Sequence, residues 1–518
     1  MMGRKWYGRA VLQNGLVLLS FVAAIAVGVR CYRLGGPELT RDESFSWRLT
    51  QYPAAEVIQR TASDVHPPLY YLALQTWDRV WSDSPAAIRA FSVLCGFLSI
   101  PVFYALCQEA CTDRGSKSPP GRDGAQGGAL LGASVMAIHL AQVMPSRTAR
   151  MYSLGVLLAG FTAWLLLRAM RAQANREVWW SAYGVAAATF CYVHNYALFT
   201  ICAQGVFVLG DLLMCARRDS FRNALPSVFG FAFAAILALL LYSPWLPVLN
   251  EQLHTVREGY WIPAVTRQDA ERVLFTWLAG MEYLQELEAA LWLAPLAALA
   301  LWRVIRGDRA AYFFVVQAAL PWLASLGISL WSGRSIFFDR YLVFAHLSLL
   351  GLWGILWCRL PDAASRVFLA CWIVLPCLYG LGLALAQVPE EPPAIAKAAG
   401  FLKEHYQPED VVYVPNPIVV NPLRYYAAQV GLRALPVRCT VSAFGHPGHQ
   451  THVASLEAQD ITWPDAQGTP PVAGRMWQGS EGGGGAGYPC EGMQIILQET
   501  FDGGGGTHYR LVLYEKTP

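Results

Sequence analysis

The feature that most constrains this chain is a series of apolar runs, each close to 20 residues long and bounded by arginines. At a rise of about 1.5 Å per residue, roughly 20 helical residues cross a hydrocarbon layer about 30 Å thick. Hydrophobic residues make up 55% of the chain and charged residues only 14%, a balance typical of a polytopic membrane protein. We therefore predict an all-α membrane architecture with about eleven spanning helices, near residues 11–29, 86–107, 128–144, 152–167, 178–196, 197–215, 225–248, 287–302, 311–331, 341–358 and 367–387.

The charges of the chain orient these spans. Lys and Arg number 39 against 36 Asp and Glu, and this net charge of +3 is too small for a nucleic-acid-binding protein. The segment 67–81 is short for a span and contains Asp78 and Arg79, so we predict an interfacial helix within a first outer loop at residues 30–85. With this topology, six connections rich in Lys and Arg lie on the same side of the membrane, and the positive-inside rule makes that side the cytoplasmic one. They are near residues 4–9, 114–122, 168–176, 217–222, 303–309 and 359–366.

This topology divides the chain into a transmembrane domain, residues 1–388, and an extracytoplasmic domain, residues 389–518. The first apolar run contains Ala24 and Ala26 and could be a cleaved signal peptide, but the topology favours an uncleaved anchor with a cytoplasmic amino terminus. The second domain is less apolar, and its pattern predicts a small α/β fold. Helices are expected at 392–406 and 422–429, and strands at 410–414, 493–497 and 509–514.

The first outer loop is rich in acids for a segment beside a membrane. Its sequence Thr40-Arg41-Asp42-Glu43 fits a capping box, in which Thr40 and Glu43 each accept a hydrogen bond from the other's backbone amide. Glu43 then has a structural task, whereas Asp42 remains available for chemistry. The alternative for Asp42 is a favourable acid at the positive end of a helix.

A second feature of the loop is Asp64-Val65-His66, followed by two prolines. A residue before proline is extended, and residues two apart in an extended segment project to the same side. Asp64 and His66 could therefore hold a divalent ion or a lipid phosphate. The alternative is an acid that caps a helix and a surface histidine.

Several short motifs, taken in order, resemble those of the GT-C membrane glycosyltransferases. They are the acidic pair in the first outer loop and the proline-started segment 67–71, then Arg89-Ala90-Phe91-Ser92, Ala149-Arg150-Met151-Tyr152-Ser153-Leu154 and Arg340-Tyr341-Leu342. The resemblance covers about residues 11–360. It is greatest to the bacterial protein O-mannosyltransferase-like and aminoarabinose-transferase-like branch.

The resemblance implies an inverting transfer of a sugar from a polyprenyl-phosphate donor to an acceptor hydroxyl, at the outer face of a bacterial plasma membrane. The implied acceptor is a lipid, a protein or a glycan. By this resemblance, Asp42 and Glu43 are the catalytic carboxylates, and Asp42 acts as the base. It places His66 where relatives have a phosphate-binding lysine.

Further roles follow from the expected outer positions of other residues. Arg150, Arg340 and Tyr341 are predicted to bind the donor phosphate, and the predicted substrate groove contains Asp64, Tyr70, Tyr152 and His254. No cofactor is required, but a divalent metal at Asp64 and His254 is an open alternative. One departure from the family pattern is that residues 145–151, in the next outer loop, contain no carboxylate.

Two other classes of protein compete with this interpretation. A lipid-linked-sugar transporter or flippase would have charged groups near the membrane midplane, broken helices and related halves. The sequence has few charged groups near the middle of its predicted spans. Neither broken helices nor related halves are visible in it. A membrane-anchored binding module would leave the acidic first loop unexplained.

Overall fold

The computed structural model describes residues 2–112, 122–218, 221–258, 262–279, 286–439, 456, 475–481, 493–503 and 507–516. Most of these residues are helical. The first helices are α1 (Met2–Cys31), α2 (Arg41–Thr50), α3 (Ala54–Ala62), α4 (Leu69–Asp78), α5 (Pro85–Cys111), α6 (Arg122–Ile138), α7 (Leu140–Ser146), α8 (Tyr152–Arg171), α9 (Arg176–Cys191) and α10 (Ala197–Arg218). They are followed by α11 (Phe221–Tyr242), α12 (Leu246–Glu258), α13 (Arg267–Ala279), α14 (Glu286–Ile305), α15 (Arg309–Ser332), α16 (Val343–Cys358), α17 (Ala363–Ala386), α18 (Ala394–His405) and α19 (Val420–Gln429). The strands are β1 (Val411–Val414), β2 (Val437–Cys439), β3 (Met476–Glu481), β4 (Met493–Asp502) and β5 (His508–Lys516).

The chain forms two compact units, and neither is a continuous segment. The helical unit comprises Met1–Tyr32, Ser92–Asn250 and Ile262–Leu385. The loop–sheet unit comprises Arg33–Phe91, Glu251–Trp261 and Ala386–Pro518. The first outer loop predicted from the sequence therefore belongs to the same compact unit as the carboxyl-terminal sheet.

Helix length and hydropathy make the chain a multi-pass membrane protein. Every predicted span overlaps a helix, but residues 128–144 cover the two helices α6 and α7, and residues 225–248 run from α11 into α12. Within the described part of the chain, six helices are long and apolar enough to cross a membrane, or seven if the bent pair α6 and α7 forms one span. Large apolar side chains on such helices are exposed, for example Phe229 at 69% and Trp331 at 87%, as expected for surfaces that contact lipid. Eleven crossings stay a prediction, because only six or seven of the described helices meet this criterion and because α9 and α16 have 16 residues each.

Helix α16 lies in the core of the helical unit. Its residues are apolar around the whole circumference and nearly all are buried, which is typical of a helix surrounded by other helices. It packs against α6, α8 and α15. A Cβ atom on Gly128 of α6 would lie 2.5 Å from the Gly354 carbonyl oxygen of α16, so only glycine permits this close approach.

Two buried arginines compensate for helix ends inside the helical unit. Helices α6 and α7 meet at a bend of 54°, and the break leaves carbonyl groups of α6 without helical partners. Arg30 donates hydrogen bonds to two of them, on Ala137 at 2.8 Å and Met136 at 3.2 Å. Arg147 donates to the carbonyls of Val29 and Arg30 at the end of α1, both at 2.9 Å. Arg147 is therefore a helix-capping residue.

The loop–sheet unit contains a five-stranded mixed sheet with the order β2-β1-β3-β5-β4. Strand β1 pairs in parallel with β2 and β3, and β5 pairs in antiparallel with β3 and β4. The core on one side includes Tyr413, Met476, Val512 and Tyr514. Helices α18 and α19 complete an α/β fold, as predicted.

The described elements of this unit differ from the predicted ones mainly in length and number. Strands β2 and β3 were not predicted, and β4 continues to Asp502, five residues beyond its predicted end. The predicted interfacial helix at residues 67–81 is shorter, since α4 spans Leu69–Asp78 with Pro68 at its N-cap. The prolines end the extended segment and begin the helix, because their fixed backbone angle suits the first helical turn.

Candidate active site

The capping box predicted at the start of α2 is confirmed. The Thr40 hydroxyl accepts a hydrogen bond from the Glu43 amide at 3.2 Å, and the Glu43 carboxylate accepts one from the Thr40 amide at 2.9 Å. Asp42 lies in the same first helical turn and is partly exposed. The helix dipole stabilises a negative charge at this position. The local sequence therefore fixes the backbone that carries Asp42.

Glu43 is buried in an ion pair with Arg89 from the first turns of α5. The Arg89 guanidinium donates to both Glu43 carboxylate oxygens, at 2.7 and 2.8 Å. The exposed fractions are 1% for Glu43 and 3% for Arg89. A bidentate contact of this kind, shielded from water, has a fixed geometry. The positive charge of Arg89 balances the buried Glu43 carboxylate.

Arg89 also organises the chain that leads into α2. Its remaining N–H groups donate to the backbone carbonyls of Leu34, Pro37 and Glu38, at 2.8 to 3.0 Å. The segment before α2 therefore wraps around one buried guanidinium. From the sequence, Arg89 was recognised only as part of a family motif, and its pairing with Glu43 was not predicted.

Glu38 lies four residues before Asp42 and is a titratable group of the same segment. Burial, together with the neighbouring Glu481 carboxylate, raises the pKa of Glu38 to about 7, and Arg41 acts in the opposite direction. Because this pKa is above that of an ordinary glutamate, protonated Glu38 stabilises the fold at low pH, and the contribution is lost as the pH rises through about 7.

We expect Glu38→Gln to remove this pH dependence. The melting temperature of the variant minus that of the wild type should rise by about 2–4 °C between pH 5 and pH 8, since only the wild type acquires a charge. Thermal unfolding across this pH range measures the difference, with exposed Glu404→Gln as the control. A difference that does not change with pH would show that Glu38 is ionised throughout.

Asp64 and His66 are brought together as the sequence predicts. The Asp64 Oδ2 and His66 Nδ1 atoms are 3.0 Å apart, and the two residues are 4% and 8% exposed. The second carboxylate oxygen of Asp64 is buried and has no hydrogen-bond partner among the described residues. This pair is a second buried polar group of the loop–sheet unit.

The other predicted groove residues of this unit occupy different environments. Tyr70 is fully buried in α4, where its ring packs against Tyr71 and Phe91 with centroids 5.7 and 5.6 Å away. His254 is exposed on α12. Within the described ranges, no group of three or more His, Cys, Asp and Glu side chains could hold a metal ion. The residues described do not form a metal site of the usual kind, and a metal at Asp64 and His254 stays a prediction.

The helical unit contains three of the predicted phosphate-binding residues, Arg150, Arg340 and Tyr341, whereas His66 belongs to the loop–sheet unit. Arg150 is 4% exposed and precedes α8, and its backbone carbonyl accepts a hydrogen bond from Ser92. The Arg340 guanidinium lies over the Phe338 ring, 4.8 Å from the centroid, and 6.0 Å from that of Tyr341. These contacts place the Arg150 backbone and the Arg340 side chain.

Aromatic rings surround Tyr341. Those of Tyr152, His194, Tyr196 and Phe338 have centroids 5.3 to 6.4 Å from it. Tyr152 and Tyr341 were predicted as site residues, and the structure brings them together. His194 and Tyr196 were missed, because their contacts with Tyr341 span nearly 150 residues of sequence.

The fold described above is similar to that of several solved structures. The chain is similar to ArnT from Cupriavidus metallidurans in the apo state, with a TM-score of 0.60 and 14% identity over 97% of this chain and 98% of that chain. It is similar to the same ArnT bound to undecaprenyl phosphate, with a TM-score of 0.59 and 13% identity over 96% of this chain and 97% of that chain.

A more distant likeness is to the archaeal oligosaccharyltransferase AglB from Archaeoglobus fulgidus, in complex with an inhibitory peptide and a dolichol-phosphate. Its TM-score is 0.52 at 11% identity, over 90% of this chain and 69% of that chain. No protein-family model matches the sequence, and no curated protein matches it significantly. These similarities establish the fold.

Proposed function

We propose that this protein is an inverting glycosyltransferase that moves a sugar from a polyprenyl-phosphate donor to an acceptor hydroxyl at the outer face of the membrane. The observation that carries the proposal is the state of the acidic pair: Glu43 is buried and neutralised by Arg89, whereas Asp42, one residue before it, is partly exposed. One carboxylate holds the loop, and the other is presented for chemistry.

The proposal is supported by the ligands of proteins with the same fold. ArnT was solved with undecaprenyl phosphate and AglB with a dolichol-phosphate, and both lipids are polyprenyl phosphates. A sugar attached to such a lipid already has its leaving group. The donor therefore needs no nucleotide, and it needs no metal to neutralise a diphosphate.

The proposed reaction has three coupled changes. Asp42 accepts the proton of the acceptor hydroxyl, the acceptor oxygen bonds to the anomeric carbon, and the bond from that carbon to the phosphate oxygen breaks. The electron pair of that bond leaves with the lipid phosphate. Because the acceptor oxygen attacks from the side opposite the leaving phosphate, the anomeric configuration is inverted. Positioned base catalysis of this kind contributes about 10² to 10⁴ in rate.

Cationic groups stabilise the departing phosphate in this scheme. We assign this role to Arg150, Arg340 and His66, with Tyr341 as a hydrogen-bonding neighbour. Preorganised charge of this kind accounts for a large part of many rate enhancements. Asp64 orients the His66 ring through their contact, and Tyr70, Tyr152 and His254 are assigned to the substrate groove.

The proposed placement is a bacterial plasma membrane. The chain crosses it eleven times, with the amino terminus in the cytoplasm and residues 389–518 outside. The acceptor is a lipid, protein or glycan hydroxyl, and the donor sugar is a hexose or a pentose, which pocket contacts select. The flippase alternative has less support, because it assigns no chemical role to the partly exposed Asp42.

An assay of purified protein in lipid nanodiscs tests the proposal. A panel of radiolabelled polyprenyl-phosphate sugars is incubated with candidate acceptors. Release of polyprenyl phosphate and the anomeric configuration of the product are then measured. We expect turnover of one donor with inversion. A flippase would instead move the intact donor across the bilayer of a proteoliposome without breaking the glycosidic bond.

Arg150 and Arg147 make a matched pair of variants three residues apart. Arg150→Gln should lower kcat/KM for the lipid donor by about 10- to 100-fold, because a cation at the leaving phosphate is lost. Arg147→Gln should lower the melting temperature while the folded fraction keeps its activity, because the end of α1 loses its capping donor. Donor titrations normalised to folded protein separate the two effects. Equal losses of stability without a change in kcat/KM would remove Arg150 from the site.

A further inference from the structure

The carboxyl-terminal domain contacts the chain immediately before Asp42. The Tyr426 hydroxyl, on α19, accepts a hydrogen bond from the Leu39 amide at 2.8 Å. Glu481, at the end of β3, forms an ion pair with Arg41 at 2.9 Å. These contacts lie three residues and one residue before Asp42, although their partners are about 400 residues away in sequence.

The Tyr426 contact is the firmer of the two. Leu39 is 1% exposed and Tyr426 is 7% exposed, so the amide has no access to bulk water as an alternative acceptor. Burial raises the pKa of Tyr426 to about 12, so the hydroxyl remains neutral at physiological pH. The Arg41 and Glu481 side chains are 49% and 42% exposed, and exposed ion pairs contribute little.

A third contact fixes the direction of α2 itself. The ring of Trp47 meets that of Tyr425 edge to face, with centroids 5.1 Å apart. The Tyr425 hydroxyl donates to the Asp83 carbonyl at 2.9 Å. Two adjacent tyrosines of α19 therefore hold the residues before α2, the body of α2 and the end of the first loop.

We propose that the carboxyl-terminal domain is a positioning element of the transfer reaction, and that Tyr426 is the positioning residue that sets the location of Asp42 through the Leu39 amide. This inference rests on the proposed function, in which Asp42 is the base. Tyr426 acts on the backbone and touches no reacting atom. A small displacement of a catalytic group is costly, because a shift of about 1 Å can reduce a rate by about 10²-fold.

The test is Tyr426→Phe, which removes the hydroxyl and keeps the ring. We expect kcat to fall about 10- to 100-fold, with the KM for the lipid donor changed less than about twofold. Amide hydrogen exchange over residues 34–45 should become faster in the variant, because the Leu39 amide loses its acceptor. Tyr406→Phe, in the same domain near the end of α18, is the control and should change neither quantity.

The outcomes distinguish failure of this inference from failure of the proposed function. Unchanged exchange in Tyr426→Phe overturns the inference even if no donor is turned over, because exchange does not depend on activity. Faster exchange with wild-type kcat also overturns it, since the contact would then be structural only. If the wild type turns over no lipid-linked sugar, the proposed function fails by itself.

The half-exposed ion pair gives a second, independent variant. Arg41→Glu should reduce kcat and speed the same exchange, by repulsion from Glu481. Adding Glu481→Arg should restore both at least in part, because the pair is re-formed with the charges reversed. Failure of the second change to restore the exchange rate would show that this pair does not hold the loop.

Discussion

Asp42→Asn is expected to reduce sugar transfer by about 10² to 10⁴-fold while the protein still folds and still binds the lipid donor. The substitution keeps the size and shape of the side chain but removes its capacity to accept a proton at neutral pH. The capping box does not use the Asp42 side chain, so α2 should form normally. The measurement is single-turnover transfer with saturating donor, alongside donor affinity and the melting temperature.

The matched control is Asp83→Asn, which changes another partly exposed acid of the first outer loop. It should leave the rate within about twofold of the wild type, because general-base catalysis depends on one positioned group. If Asp42→Asn keeps wild-type turnover, Asp42 is not the base. Full loss in Asp83→Asn as well would indicate a general effect of loop charge.

Arg89→Met is expected to lower the free energy of unfolding by about 3–5 kcal/mol, because it leaves the Glu43 charge buried without its partner. The pair is almost completely inaccessible, with both side chains no more than 3% exposed. Three backbone carbonyls also lose their donor. Denaturation of detergent-solubilised protein, followed by intrinsic fluorescence, measures the change.

The double variant Arg89→Met with Glu43→Gln separates charge from packing. It should be more stable than Arg89→Met alone, since no uncompensated charge remains. Arg267→Met, which breaks the exposed pair with Glu271, should have an effect below about 1 kcal/mol. If the double variant is no more stable than the single one, the carbonyl contacts of Arg89 account for the loss.

The membrane helices could be predicted from sequence because the signal is local. A run of apolar residues is both necessary and nearly sufficient for a buried or lipid-facing helix, whatever surrounds it. The number of times the chain crosses the membrane was harder to predict from the sequence. Helices such as α9 and α16 are too short by length alone to be assigned as spans, and the burial of α16 depends on its neighbours.

The carboxyl-terminal sheet was predicted only in part, for a related reason. Strands β1, β4 and β5 have apolar or alternating patterns, whereas β3 contains Gly479, Ser480 and Glu481 and reads as a loop. Its place between β1 and β5 is set by hydrogen bonds to both neighbours. Sheet partners are distant in sequence, so a single segment does not encode its own pairing.

The candidate site shows the same division. The sequence by itself determined that Asp42 stands in the first turn of a helix and that Thr40 and Glu43 cap it, because a capping box involves residues three apart whose geometry any helix start imposes. Only the tertiary structure decided that Glu43 is neutralised by Arg89 and that Tyr426 holds the Leu39 amide. Those contacts join residues 46 and 387 positions apart, and they exist only after packing has excluded water and made each buried polar group require a partner.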